Sequence, residues 1–210
     1  MKRQTKLLSV LLTFTMSIAA LGTTVGCGDG SSIKAATEGL EYLLSKDGTY
    51  YTVKDYTGES TAVYVSNTYK ELPVKGIDWN AFYDCASLTE IAVCEGVSFI
   101  GREAFWGCSS LTKVELPDSV TSISDYAFAK CDSLTEIVIP EGVTSIGAEI
   151  FDDCDHLTSI TFESTATWYV TDSAKDWQNQ TGGTEIDVTD IAANVAYFTD
   201  EYDDYYWYKK

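Results

Sequence analysis

Histidine occurs once in this chain of 210 residues, as His156, and basic residues number only 14 against 32 acidic ones. One histidine excludes a multi-histidine metal site and leaves a single candidate general base. Three of the basic residues, Lys2, Arg3 and Lys6, lie in the first 26 positions, which hold no acid; the rest of the chain carries 11 basic against 32 acidic residues. Such a surface repels phosphate backbones and anionic lipid heads, so nucleic acid is not an expected partner. No glycine-rich phosphate loop and no serine-centred elbow occurs. Beyond the first 26 residues no run is long and apolar enough to span a bilayer. The acidity is not a mark of disorder, because hydrophobic residues make up 45% and aromatics 13%, far more apolar material than a solvated tail contains.

What is present is one sentence written several times. "AFYDCASLTEIAVCEGVSFIG", "AFWGCSSLTKVELPDSVTSIS" and "AFAKCDSLTEIVIPEGVTSIG" follow one another at a spacing of 23 residues. The alignment runs on Phe82, Phe105, Phe128 and Phe151, preceded by Ala81, Ala104, Ala127 and Ile150. Three residues after each Phe come Cys85, Cys108, Cys131 and Cys154, and three later Leu88, Leu111, Leu134 and Leu157. Ile91, Val114, Ile137 and Ile160 follow, then Val93, Leu116, Ile139 and Phe162. A unit this short cannot bury its own apolar positions. Stacked on a copy of itself, each Phe, Leu and Ile meets its own equivalent, and a continuous core results. "L-x-x-I-x-I" has period two at its end and predicts a short strand. Pro117 and Pro140 end that strand in a turn. "VTSIG" predicts a second extended stretch, and "xxAFxxC" a turn of helix.

The pattern "C-x-x-L-x-x-I-x-I-P-x-x-V-x-x-I-x-x-x-A-F" resembles the BspA-like leucine-rich repeat of bacterial surface proteins, tightly over residues 74–162 and more loosely to either side. The resemblance implies a β-rich repeat solenoid of the α/β leucine-rich-repeat type. It also implies attachment, as members are typically cell-surface binding proteins, several of them adhesins. The chain departs from the pattern in places. It has no Asn ladder, Cys94 replaces the strand-ending Pro in the first unit, and Ala166 and Tyr169 stand where a fifth Val and Ile would continue the array.

An open solenoid exposes apolar core at each end, so both ends need cover. The expected organisation is a β-rich N-terminal cap over residues 37–73, repeats over 74–163 and an aromatic, mixed α/β C-terminal cap over 164–210. "EYLLSKDGTYYTVK" reads as a hairpin turning at Asp47-Gly48, and "TAVYV" as a further strand. In the tail, Asp190 is an N-cap candidate for a helix with Ile191, Val195 and Phe198 on one face, and "YYWYK" reads as a strand. The tail's aromatics, Trp168, Trp177 and Trp207 among them, suit either cover for the last repeat or a sugar-stacking platform.

The first 26 residues read as an address rather than as fold: a basic "MKRQTK" and then an apolar "LLSVLLTFTMSIAALG", a signal peptide. "TTVGCGDGSS" resembles the lipobox of bacterial lipoproteins, with Thr24 where Leu is usual. On that resemblance Cys27 becomes the first mature residue, carries lipid on its sulfur and is followed by a linker over 27–36. Ordinary cleavage near residues 19–26, releasing a secreted protein, is the alternative. Export is expected either way, with contact to a membrane only through the lipid.

Chemistry is scarce. His156 lies in "FDDCDHLT" beside Cys154, Asp152, Asp153 and Asp155, but Cys154 occupies a position that three other units fill without a histidine, so a structural reading is favoured. "TDEYDDYY" lacks the glycine-turned spacing of a calcium loop and reads as a solvated acidic face. The four in-register cysteines are expected as free, buried thiols, with bridges between adjacent repeats as the alternative. No cofactor, metal or catalytic residue is assigned, and the chain is expected not to be an enzyme. Function is then left to surfaces. The outward positions of the "L-x-x-I-x-I" strands stack into a small inner face whose candidate ligand-binding residues are Thr89, Glu90, Thr112, Lys113, Glu115, Thr135, Glu136, Thr158, Ser159 and Thr161. The expected partner is an extracellular or cell-surface protein, with glycan binding by the C-terminal aromatics, or a structural envelope component, as the alternatives.

Overall fold

The structure, a computed structural model, describes residues 36–210; the expectations for the signal peptide and for Cys27 lie outside the described residues. The chain begins with strands β1 (Leu40–Leu44) and β2 (Tyr51–Tyr56), which pair antiparallel. They are joined at the expected Asp-Gly turn, where Asp47 Oδ1 accepts from the Ser45 hydroxyl at 2.7 Å and the Thr49 N–H at 3.1 Å, and Gly48 takes φ 73°. Then come β3 (Ala62–Val65), β4 (Thr68–Tyr69) and β5 (Leu72–Ile77).

Each repeat supplies two short strands. The "L-x-x-I-x-I" segments form β6 (Glu90–Val93), β8 (Lys113–Glu115), β10 (Glu136–Ile139) and β12 (Ser159–Phe162). The "V-x-x-I" segments form β7 (Phe99–Ile100), β9 (Ser122–Ile123) and β11 (Ser145–Ile146). β5, β7, β9 and β11 run parallel in one sheet. On the opposite side β3, β6 and β8 make one parallel sheet, and β10 with β12 another. Alternation does the sorting: in β10, Ile137 and Ile139 are buried while Glu136 and Val138 face solvent. That is the period-two behaviour of a strand with one covered face.

The segment around each "A-F-x-x-C" is not the expected turn of helix. It is a run of turns, and the reason is where its backbone groups go. The Phe82, Phe105 and Phe128 N–H groups donate to Ala104, Ala127 and Ile150 carbonyls of the next unit, at 2.8, 2.8 and 3.0 Å. Backbone spent between units is not available for an i→i−4 ladder. Each unit also holds two left-handed residues at repeat spacing: Asn80 and Asp84, Glu103 and Gly107, Tyr126 and Lys130, Glu149 and Asp153. A left-handed residue interrupts a right-handed helix.

The core is a file of rings. Phe82 and Phe105 stack with centroids 5.0 Å apart, Phe105 and Phe128 at 5.2 Å, Phe128 and Phe151 at 6.0 Å, and all four are buried. Tyr56 meets the first ring at 5.5 Å, and Phe198 meets the last edge-on at 5.6 Å.

After the array come β13 (Trp168–Thr171), α1 (Ala174–Asn179), β14 (Thr184–Ile186), α2 (Ile191–Ala196), a single π turn (Tyr197–Glu201) and β15 (Tyr206–Lys209). β15 pairs antiparallel with β11 and with β13, extending the larger sheet past the last repeat. Asp190 caps α2 as expected, accepting from the Ala193 N–H at 3.2 Å. The expected helical face is only partly buried: Phe198 is covered but Ile191 is exposed. The helix lasts six residues, and the wider π turn rotates Phe198 out of phase with Ile191. Buried Asn194 donates from Nδ2 to the Ile160 and Val188 carbonyls, both at 2.9 Å, and so satisfies a carbonyl on the outer edge of β12. Among the described residues no helix is long and apolar enough to cross a membrane.

Phe128→Ala should destabilise the chain by about 3–5 kcal/mol, since it empties a buried ring site in the middle of the file. Chemical denaturation measures this, and an unchanged midpoint would show that the rings do not carry the stack.

Candidate binding face

The ten candidate residues all lie on strands of the "L-x-x-I-x-I" face or immediately before them, and all reach solvent. Thr112, Lys113, Glu115, Thr135, Glu136 and Thr158 are exposed, while Thr89, Glu90, Ser159 and Thr161 are half-buried. Strand register makes columns of them. Glu90 stands opposite Lys113, and Ala92 opposite Glu115; across the second sheet Glu136 faces Ser159, and Val138 faces Thr161. One outward position departs from the expected pattern. Ala92 is buried, because it packs with Tyr64 and Cys94 in a second small apolar cluster on this face.

The threonines are tied into the scaffold. The hydroxyls of Thr89, Thr112 and Thr158 donate to the carbonyls of Thr61, Thr89 and Thr135, at 2.9, 3.1 and 3.1 Å. Their donor protons are occupied, which leaves oxygen lone pairs for a ligand. Charge on the face is grouped around Lys113, whose Nζ lies 2.6 Å from Glu115 and 2.8 Å from Glu90. Those two carboxylates, Glu115 the more strongly, hold the ammonium above its ordinary pKa. All three groups are solvated, so the pairing organises the face more than it stabilises the fold.

The residues that looked most like chemistry are structural rungs. The Cys108, Cys131 and Cys154 thiols donate to the carbonyls of Phe82, Phe105 and Phe128, at 3.2, 3.3 and 3.2 Å. Burial pushes the Cys154 thiol up to about 12 and raises Cys108 and Cys131 well above the ordinary thiol range too. A thiol so held carries almost no thiolate at neutral pH, the opposite of an activated nucleophile. The four repeat cysteines are free, as expected; Cys108, Cys131 and Cys154 are also buried, while Cys85 is only half-buried. His156 is exposed, with Nδ1 2.8 Å from the Asp132 carbonyl. Among the described residues no group of three or more His, Cys, Asp or Glu side chains is placed to hold a metal ion.

The C-terminal aromatics offer little to a sugar. Trp168, Trp207 and Tyr208 are fully buried, with Phe198 stacked on Trp207 at 4.1 Å. Trp177 is half-buried, stacks on Tyr206 at 5.0 Å, and donates its indole N–H to the Trp207 carbonyl at 3.0 Å. The exposed rings are elsewhere. Tyr83, which is exposed, stacks in parallel at 4.6 Å on the half-buried Trp106 on the turn side of the array, and Lys130 lies over Trp106 at 4.8 Å. Trp79, 62% exposed, stands near the start of the same turn segment. The sequence signal for the stacked pair was available, since each directly follows a repeat phenylalanine and so sits at the same step of its unit.

Iodoacetamide at neutral pH should leave Cys108, Cys131 and Cys154 unmodified in the folded chain and label them in denaturant, as read by peptide mass mapping; rapid native labelling would mean the stack opens. Trp177→Ala should lower the melting temperature, because it leaves the Trp207 carbonyl without its donor; an unchanged melting temperature would show Trp177 to be dispensable to the fold.

Comparison with known proteins gives a consistent result. The family model described as BspA type leucine rich repeat region matches residues 64–174 in six copies, extending past the four full units on both sides. A leucine-rich repeat protein of T. pallidum is 30% identical with a TM-score of 0.53, the match covering 61% of this chain and 71% of that one. A leucine-rich repeat protein from Bacteroides capillosus is 30% identical with a TM-score of 0.55, covering 62% of this chain and 98% of that one. Among curated proteins, no sequence matches this chain.

Proposed function

The chain belongs to the family of BspA-type leucine-rich repeat proteins, and on that premise we propose that it is an exported, non-enzymatic protein that binds other proteins at the cell surface in the manner of an adhesin. The observation that carries the reading is the strand face itself. Its side chains are spaced by a backbone whose successive units are hydrogen-bonded and core-packed, so they are pre-arranged before any partner arrives. Pre-arrangement lowers the entropy lost on binding. The repeat cysteines and the lone histidine are accounted for without catalysis. The buried state of Trp168 and Trp207 weighs against the glycan reading of the tail.

Attachment through lipid on Cys27 is part of the same proposal. The mass of the N-terminal peptide from membrane-extracted protein separates a lipid-anchored from a secreted form.

The binding proposal is tested by screening the purified full chain against panels of extracellular proteins and glycans, beside a variant with Thr112, Lys113, Glu115 and Glu136 all changed to Ala. The four side chains are exposed, so the variant should keep its melting temperature within a few degrees. It should also lose its protein partners. Protein binding that survives the change would move the site off the strand face, and glycan binding would replace the reading altogether.

A further inference from the structure

The repeats act as one another's control, and one joint on the strand face differs from the rest. At three joints a threonine near the start of the strand bonds twice to the threonine carbonyl of the unit before it. Thr89 does so to Thr61, Thr112 to Thr89 and Thr158 to Thr135, with N–H distances of 2.6, 3.0 and 2.9 Å beside the hydroxyl bonds above. Thr135 makes neither bond to Thr112; the nearest link is instead from the Ser133 N–H to the Ser109 carbonyl at 3.2 Å. This is also where the strand face divides, for β8 pairs with β6 and β10 with β12, but β8 and β10 are not paired. The division is confined to that face. Behind it β9 and β11 remain in register, and Phe105 and Phe128 lie parallel at 5.2 Å.

The local sequence differs there too. Val114 stands where the other units have Ile91, Ile137 and Ile160, and it is half-exposed while those three are buried. The resulting gap has a volume of ≈ 230 Å³, below the size of a pocket for a drug-sized ligand and suited to a side chain. Val114, Ile137 and Val138 give it an apolar lining, and Val138 is itself 46% exposed. Lys113 is already held by two carboxylates, whereas Glu136, on the far wall, forms no ion pair among the described residues. The Thr112 carbonyl, on the lining, receives neither of the two bonds that the threonine of the following unit supplies at the other joints.

We propose that the gap between β8 and β10 seats a lysine or arginine side chain presented by an extended segment of a partner protein. The inference rests on the reading of the strand face as a protein-binding surface. The aliphatic stem lies on Val114, Ile137 and Val138, and the cationic head meets the Glu136 carboxylate and the Thr112 carbonyl. A chain of net charge −18 also draws cationic segments toward it.

The test uses the full chain and, as probe, a short labelled peptide of alternating arginine and threonine. A second peptide has citrulline at each arginine, keeping the shape and removing the charge. Fluorescence anisotropy at physiological salt should show the arginine peptide binding at least about tenfold more tightly than the citrulline one. Glu136→Lys should weaken it by at least about tenfold, while Glu185→Lys, the same charge change on β14, should shift it by less than about threefold. Val114→Ile, which restores the residue of the other units, should weaken binding without lowering the melting temperature. Equal losses in Glu136→Lys and Glu185→Lys would reduce the effect to overall charge and overturn the proposal. So would an arginine peptide that does not bind, or a Val114→Ile variant of unchanged affinity. None of these failures touches the broader reading, which stands or falls with the protein screen and the quadruple variant.

Discussion

Each unit of the array is a single thin turn of chain, and its apolar side chains are covered only where the next unit lies on top of it. The parallel file of Phe82, Phe105, Phe128 and Phe151 is that cover in its densest form. The rest of the architecture follows from keeping the file in step. An insertion of one residue in any unit would displace its ring, its cysteine and both its strands together, so the spacing stays at 23. The same constraint explains the turns. Backbone donors beside each Phe are used to bond the following unit, and left-handed residues bend the chain tightly enough for that unit to arrive.

A file of identical rings has no natural end, and the flanking segments deal with this by changing the geometry of contact. Tyr56 meets the first Phe tilted, and Phe198 meets the last one edge-on, so neither presents a fresh parallel face for another copy. The sheets end in the same spirit. β15 and β2 lead into antiparallel pairings at the two ends of the parallel ladder, and the Asn194 amide takes up a carbonyl beyond β12. A solenoid edge left as an open parallel strand would be a template for pairing with other chains.

Regularity also changes how single residues should be read. A thiol or a threonine hydroxyl beside an acid can suggest chemistry when seen alone. Seen at one spacing, three of the thiols and three of the threonines prove to be rungs, directed at a carbonyl of the unit before. The informative residue is the one that breaks step. Thr135 follows a leucine, as Thr112 and Thr158 do, but does not make their bonds, and that difference marks a place on the face.

The sequence by itself determined the solenoid, the period, the in-facing residues, the two strands of each unit, the hairpin at Asp47-Gly48 and the helix cap at Asp190. These follow from local pattern and short-range turn chemistry, and a repeat multiplies the signal. Only the tertiary structure decided that the segment around each Phe is turn rather than helix, because its hydrogen-bond partners lie one unit away. It alone decided that Trp168 and Trp207 are buried, since a ring's exposure depends on what folds over it. The opening between β8 and β10 was equally out of reach: Val for Ile at position 114 is a difference of one methylene, and its effect appears only when the neighbouring units are stacked against it.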